Sequence, residues 1–345
     1  MCAPACSSQR DNIRPLTGGT LQVMRKNREI VTKRAMIIHP QSETPITSFR
    51  RFTEDAEFLE RTIAEQQIVV PSAGPLSEAL AAARVIGSGS TLPNAPAELG
   101  KVAGLSYLVR LLAGTTRRGL FDRVKRHLRY LADTSSNPLP TVLAPASQSR
   151  NMVLELEVAC LGACCGFDIV LADEPDVQFV DLCSWDIACK DVTSENPVSV
   201  ADRIEKGIRQ VLSFDGAYGL VVLGLANRID HRAMLPLLSP EEDIWGAFRS
   251  FESAQQAVRA TLKTVIGEIQ EQAQTRFLSG KEDHKFRGIL LVGHAACGVT
   301  GVVAFLSMMA LVTRADLYGT PLLEGPEQRL CERLNTAAHH AFVGP

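Results

Sequence analysis

Apolar residues recur at helical spacing through residues 52–132, which predicts helices over Phe52–Gln67, Leu76–Val85, Ala97–Ala113 and Arg117–Ala132. Thr53, Glu54 and Asp55 suit the start of the first. Residues 134–149, TSSNPLPTVLAPASQS, are dense in Ser, Pro and Asn and read as a linker. The texture then changes. A helix over Asn151–Cys165 stops at Gly166, a natural residue just past a helix end. Short apolar runs at Phe167–Leu171, Val177–Val180 and Ser184–Lys190 predict strands, and Val198–Leu212 a helix. Tyr218–Leu225 is nearly continuously apolar, as a strand buried on both faces would be. Glu241–Phe277 reads as a long helix, and Ile289–Val292 as a further strand. Helices alternating with strands predict an α/β fold with a mainly helical N-terminal region.

Residues 288–313 carry no formal charge, long enough to cross a bilayer. Four glycines and His294 interrupt the run, so a buried strand, a turn and a second apolar run fit it as well. The expectation is therefore no membrane association. The division expected along the chain is a flexible tail over 1–20, a helical basic region over 21–149 and an α/β domain over 150–345.

Composition narrows the class. Of 345 residues, 46% are apolar and 21% charged, which excludes a disordered or fibrous chain. Net charge is −2, so no overall basic field demands nucleic acid. The halves differ, however: residues 1–150 hold 20 Lys and Arg against 12 acidic residues, and residues 151–345 hold 16 against 26. One half is thus suited to an anionic partner. The positive charges Arg118, Lys125, Arg126 and Arg129 lie largely off the apolar face of residues 117–132, where they could track a phosphate backbone. Nine scattered cysteines and no secretory leader point to reduced thiols in the cytoplasm. No paired-knuckle spacing supports zinc, and the segment His294–Cys297 reads as core. GSGS at 87–90 lacks the lysine of a phosphate-binding loop.

Residues 155–194 hold the chemistry. In a strand ending at Lys190, side chains alternate, so Asp186, Ala188 and Lys190 share one face and Ile187 and Cys189 the other. Pro175-Asp176 starts a neighbouring strand, which lets a carboxylate and an ammonium meet. Such a pair would bind a divalent cation, orient a water and neutralise phosphate charge. Glu155, on the preceding helix, would add a carboxylate from the same side of the sheet.

This order resembles the PD-(D/E)XK nuclease superfamily, the restriction-endonuclease-like fold: a helix bearing Glu155, the Gly166-Phe167 turn, a strand, Pro175-Asp176, a strand ending Ala188-Cys189-Lys190, and a helix bearing Gln210. The resemblance implies a mixed sheet flanked by helices and Mg²⁺- or Mn²⁺-dependent hydrolysis of DNA phosphodiesters. It also implies metal ligands at Asp176, Glu155 and the Cys189 carbonyl, Lys190 positioning the water, and Gln210 steadying the site. Homodimerisation is left open. One position departs from the pattern: Ala188 stands where the family has a metal-binding Glu. Either the carboxylate has moved, to Asp186, Glu157, Asp173 or Glu174, or Asp176 and Glu155 suffice, or the fold is kept for binding nucleic acid or a protein without catalysis.

Overall fold

The computed structural model describes residues 44–46, 50–89, 95–142, 144–145, 147–181, 183–235, 247–299, 302–319 and 325–341. Within them the strands are β1 (Thr44–Ile46), β2 (Asp168–Leu171), β3 (Val177–Val180), β4 (Trp185–Asp191), β5 (Tyr218–Gly224), β6 (Phe286–Val299) and β7 (Val302–Thr313). The helices are α1 (Arg50–Glu65), α2 (Pro75–Gly87), α3 (Ala95–Arg117), α4 (Lys125–Leu131), α5 (Gln148–Cys164) and α6 (Pro197–Leu212). They continue with α7 (His231–Met234), α8 (Phe251–Arg276), α9 (Leu278–Glu282), α10 (Arg314–Tyr318) and α11 (Pro326–Ala341).

The strands form one mixed sheet in the order β1-β7-β6-β5-β4-β3-β2. β4, β5 and β6 run parallel, and the remaining neighbours are antiparallel. The segment α5-β2-β3-β4-α6-β5 is continuous in the chain, with α6 as the crossover between parallel β4 and β5. Asn196 caps α6 by accepting from the Val198 N–H, and Pro197 occupies its first turn, where a missing N–H costs nothing.

Two apolar layers sandwich the sheet. On one face α1–α5 and α11 pack against Ile187, Cys189, Leu220, Val222, Leu290 and Phe305. On the other, α6 and α8 cover Ala188, Val221, Leu223, Ile289, Leu291 and Leu306. The uncharged stretch is thereby explained as the hairpin β6–β7, buried on both faces, as a central strand pair requires. Among the described residues no helix is long and apolar enough to cross a membrane.

Every residue of α5 from Met152 to Gly162 is buried, so the helix lies inside the molecule. Gly162 allows its close approach to the sheet, since a Cβ there would stand 2.3 Å from the Phe179 ring. The α5 end is set by Gly166 at φ +83, with the Phe167 N–H bonded back to the Gly162 carbonyl.

Three expectations change. The single basic helix over 117–132 does not form: α3 runs to Arg117, Gly119 at φ +71 turns the chain, and a 3₁₀ turn at Phe121–Arg123 precedes α4. The long helix begins at Phe251, where Ser250 caps it, and Phe248 forms a bridge with Val299 instead; residues 241–246 lie outside the described residues. The last strand is far longer than Ile289–Val292 and has β7 as its partner. From the stretch read as a linker, Leu139 and Thr141 are buried against α3, with the Thr141 hydroxyl donating to the Gly100 carbonyl at 2.7 Å. The flexible tail expected over 1–20 lies outside the described residues.

Candidate active site

Asp176 sits one position before β3. The β3–β4 register pairs Val177 with Ile187, so the next step brings residue 176 beside residue 188. Its carboxylate collects three donors. Oδ2 accepts from the Cys189 N–H at 2.6 Å and from Lys190 Nζ at 3.1 Å, and Oδ1 accepts from Gln210 Nε2 at 2.9 Å. Sequence order brings together a loop carboxylate, a β4 ammonium and an α6 amide that are up to 34 residues apart. Asp176 is buried and the Lys190 side chain is 17% exposed, so the pair is sheltered yet reachable from solvent.

Glu155 approaches from the other helical layer. It belongs to α5, on the Cys189 face of β4, whereas Lys190 follows Cys189 and points to the α6 face. The expectation that Glu155 shares the Lys190 side is therefore corrected, and Asp176 lies at the seam between the layers. Glu155 Oε2 is 3.1 Å from His127 Nε2 of α4. Burial raises the Glu155 carboxyl above its ordinary value, the His127 bond opposes this, and the charge of Asp176 adds to the rise. The Cys189 thiol is pushed well up, first by burial and then by the neighbouring Asp176 and Glu155 charges.

Three of the four candidates for a displaced carboxylate are engaged elsewhere. Asp186 is fully buried and accepts from Gln178 Nε2, the Gly216 N–H and Lys285 Nζ, which tie β4 to the start of β6. Glu157 pairs with His294 at 2.7 Å. Asp173 is exposed and pairs with Arg126, and Glu174 is exposed in the same loop. Ala188 is fully buried against α6. Among the described residues no cluster of three or more His, Cys, Asp or Glu is arranged to hold a metal.

The basic residues do not lie on one helix. Arg126 pairs with Asp173, and Arg123 reaches the Ile169 carbonyl, so this side of α4 clamps the β2–β3 hairpin. Lys125 is half-buried, while Arg118 and Arg129 are exposed on opposite sides of the 3₁₀ turn in sequence.

A second polar group, which the residue pattern did not single out, lies further along α5. Arg150 pairs with Asp191 at 3.2 Å and donates to Asn227 Oδ1 at 2.9 Å. His294 lies tilted beside the stacked pair Tyr107 and Phe305, with centroids 4.9 and 5.5 Å away. A cavity of about 20 Å³, room for one water, lies among Arg150, Glu157, Asp191 and His294. Arg150 Nη2, Glu157 Oε1 and His294 Nδ1 have no protein partner there. The legible signal was the charges themselves: Arg150, Glu155 and Glu157 interrupt an otherwise apolar helix and must each be paired.

No protein-family model, curated protein or solved structure matches the chain.

Proposed function

We propose that the chain is a divalent-metal-dependent nuclease of the PD-(D/E)XK type that hydrolyses DNA. The observation that carries the reading is the convergence of Lys190, Gln210 and the Cys189 N–H on the one carboxylate of Asp176. The order α5, β2, β3, β4, α6, β5 supports it, because it follows the family's sequence of helix, strands and crossover helix. Asp176 and Glu155, with the Cys189 carbonyl, are the groups that would hold Mg²⁺ or Mn²⁺. Two carboxylates suit such an ion when water completes the shell. The donor set fits in one further respect: Glu155 is destabilised as an anion by burial and by Asp176, and a cation relieves both. When bound, the ion would supply charge stabilisation at the phosphoryl oxygens. Gln210 fixes the rotation of the Asp176 carboxylate. Lys190 presents an ammonium beside that carboxylate, positioned to orient a water and offset phosphate charge. His127 holds Glu155 in place. Action in the cytoplasm fits the lack of a disulfide among the described cysteines.

A second reading is favoured by Ala188: with two carboxylates and no third, the same fold would bind nucleic acid or a protein without cutting. The test is Mn²⁺ titration by calorimetry together with cleavage of linear double- and single-stranded DNA. For the nuclease, Lys190→Ala should lower cleavage at least 100-fold with Mn²⁺ binding retained, and Asp176→Ala should abolish both. Absence of metal binding and of cleavage in the unsubstituted protein would leave the binding reading.

A further inference from the structure

The C-terminal turn of α5 brings two thiols and a guanidinium together. Cys160 and Cys164 are one turn apart, on the same side of the helix. The two thiols lie close enough to influence one another, and the Arg118 guanidinium, just past the end of α3, lies beside Cys164. Arg117 adds its charge from the same chain segment. Access differs across the described cysteines. Cys160, Cys189, Cys297 and Cys331 are buried, Cys183 is exposed, and Cys164 and Cys165 are half-buried.

We propose that Cys164 is an oxidation-sensitive thiol that reacts with peroxides, and that Cys160 resolves the product as a disulfide. A reactive cysteine needs solvent access, a cationic neighbour and a second thiol within reach, and Cys164 combines all three. Its neighbours favour the thiolate. The Cys160 thiol is the largest influence, burial opposes it, and Arg118 and Arg117 reinforce it, bringing Cys164 down to about 6. The carbonyl end of α5 works against an anion here, and the Cys160 thiol with the two arginines outweighs it. Cys165 next door goes the other way: burial pushes it up to about 12, although Arg333 lies nearby. Cys160 is raised well above its ordinary value, as the protonated member of the pair should be.

The chemistry balances in two steps. The Cys164 thiolate attacks one peroxide oxygen; the S–O bond forms, the O–O bond breaks, and the leaving hydroxide takes a proton from solvent. Cys160 then gives up its proton and attacks the Cys164 sulfur. The S–S bond forms, and the sulfenic oxygen departs with that proton as water. Two thiols are oxidised, one peroxide is reduced, and two waters result. A disulfide of about 2 Å does not fit an intact helical turn at this spacing. The bonds from Cys165 and Phe167 to the Leu161 and Gly162 carbonyls must therefore open.

The experiment treats the full chain with hydrogen peroxide and dimedone and follows each cysteine by peptide mass spectrometry. The expected result is that Cys164 reacts first and ends in a Cys160–Cys164 disulfide. Cys160→Ser should leave a trapped dimedone adduct at Cys164. Arg118→Gln, an exposed substitution that leaves the core untouched, should slow Cys164 oxidation about tenfold. Iodoacetamide labelling of Cys164 should set in around pH 6. Faster reaction at exposed Cys183, or a Cys164 rate indifferent to Arg118→Gln, would overturn the proposal.

Discussion

A charged side chain inside α5 is tolerable only because another element supplies its partner. Arg150 is met by Asp191 of β4, Glu155 by His127 of α4 and Glu157 by His294 of β6. Leaving any one of these charges buried alone would cost several kcal/mol. Strand alternation and the Pro-Asp pair marked Lys190 and Asp176 because both act over short spans, while Gln210 entered only through the family resemblance. Sequence reasoning could not supply His127, which lies 28 residues from Glu155 on a separate helix. His231 allows a pH test at the same scale. It is buried beside the Ala226 carbonyl, its Nε2 at 2.7 Å, and burial lowers it from 6.5 to about 4. The folded state therefore holds the neutral ring, and its stability contribution is present above pH 6.5 and lost as pH falls toward 4. His231→Gln keeps a donor without the charge. It should remove part of the acid lability in that window, on the order of 3 kcal/mol at most. Chemical denaturation of both proteins at pH 7.5 and pH 4.5 checks this; equal losses in the two would show that His231 stays solvated.

At the scale of elements, spacing between α5 and the sheet is set by Gly162. Gly162→Ala would gain up to about 1 kcal/mol in helix propensity. It would also drive a methyl to 2.3 Å from a Phe179 ring atom and 2.8 Å from Ile169 Cδ1. Overpacking of that kind costs about 1–3 kcal/mol, so the net change is destabilising. A midpoint unchanged or raised in urea would contradict the tight contact. The sequence legibly marked α5, β3, α6 and β5 because each carries one clear period or one unbroken apolar run. It misled over 117–132, where the apolar spacing persists through Gly119. Arg126, read as free to meet phosphate, is paired with Asp173, although at 41% and 85% side-chain exposure that pair contributes little to stability.

For the whole molecule, helices from residues 50–131 and α5 share one core with the sheet. Tyr107 of α3 stacks on Phe305 of β7 at 4.4 Å, and His127 of α4 meets Glu155. A fragment spanning residues 147–345 should therefore expose the outer side of α5, leave Glu155 without its histidine, and lose its cooperative thermal transition. A fragment that melts cooperatively near the full chain's temperature would show that the α/β part is self-sufficient.

What the sequence determined by itself is local. Period and alternation decide which residues are helical or extended, and which neighbours share a face, because both depend on backbone geometry alone. Alternation alone sets Lys190 opposite Cys189. The tertiary structure decided what lies across from each face. It put Glu155 in the layer opposite Lys190, surrounded Asp186 with Lys285 from 99 residues away, and gave β6 its antiparallel partner. Those outcomes depend on where whole layers dock, and docking is governed by the summed burial of many apolar side chains rather than by any short stretch of chain.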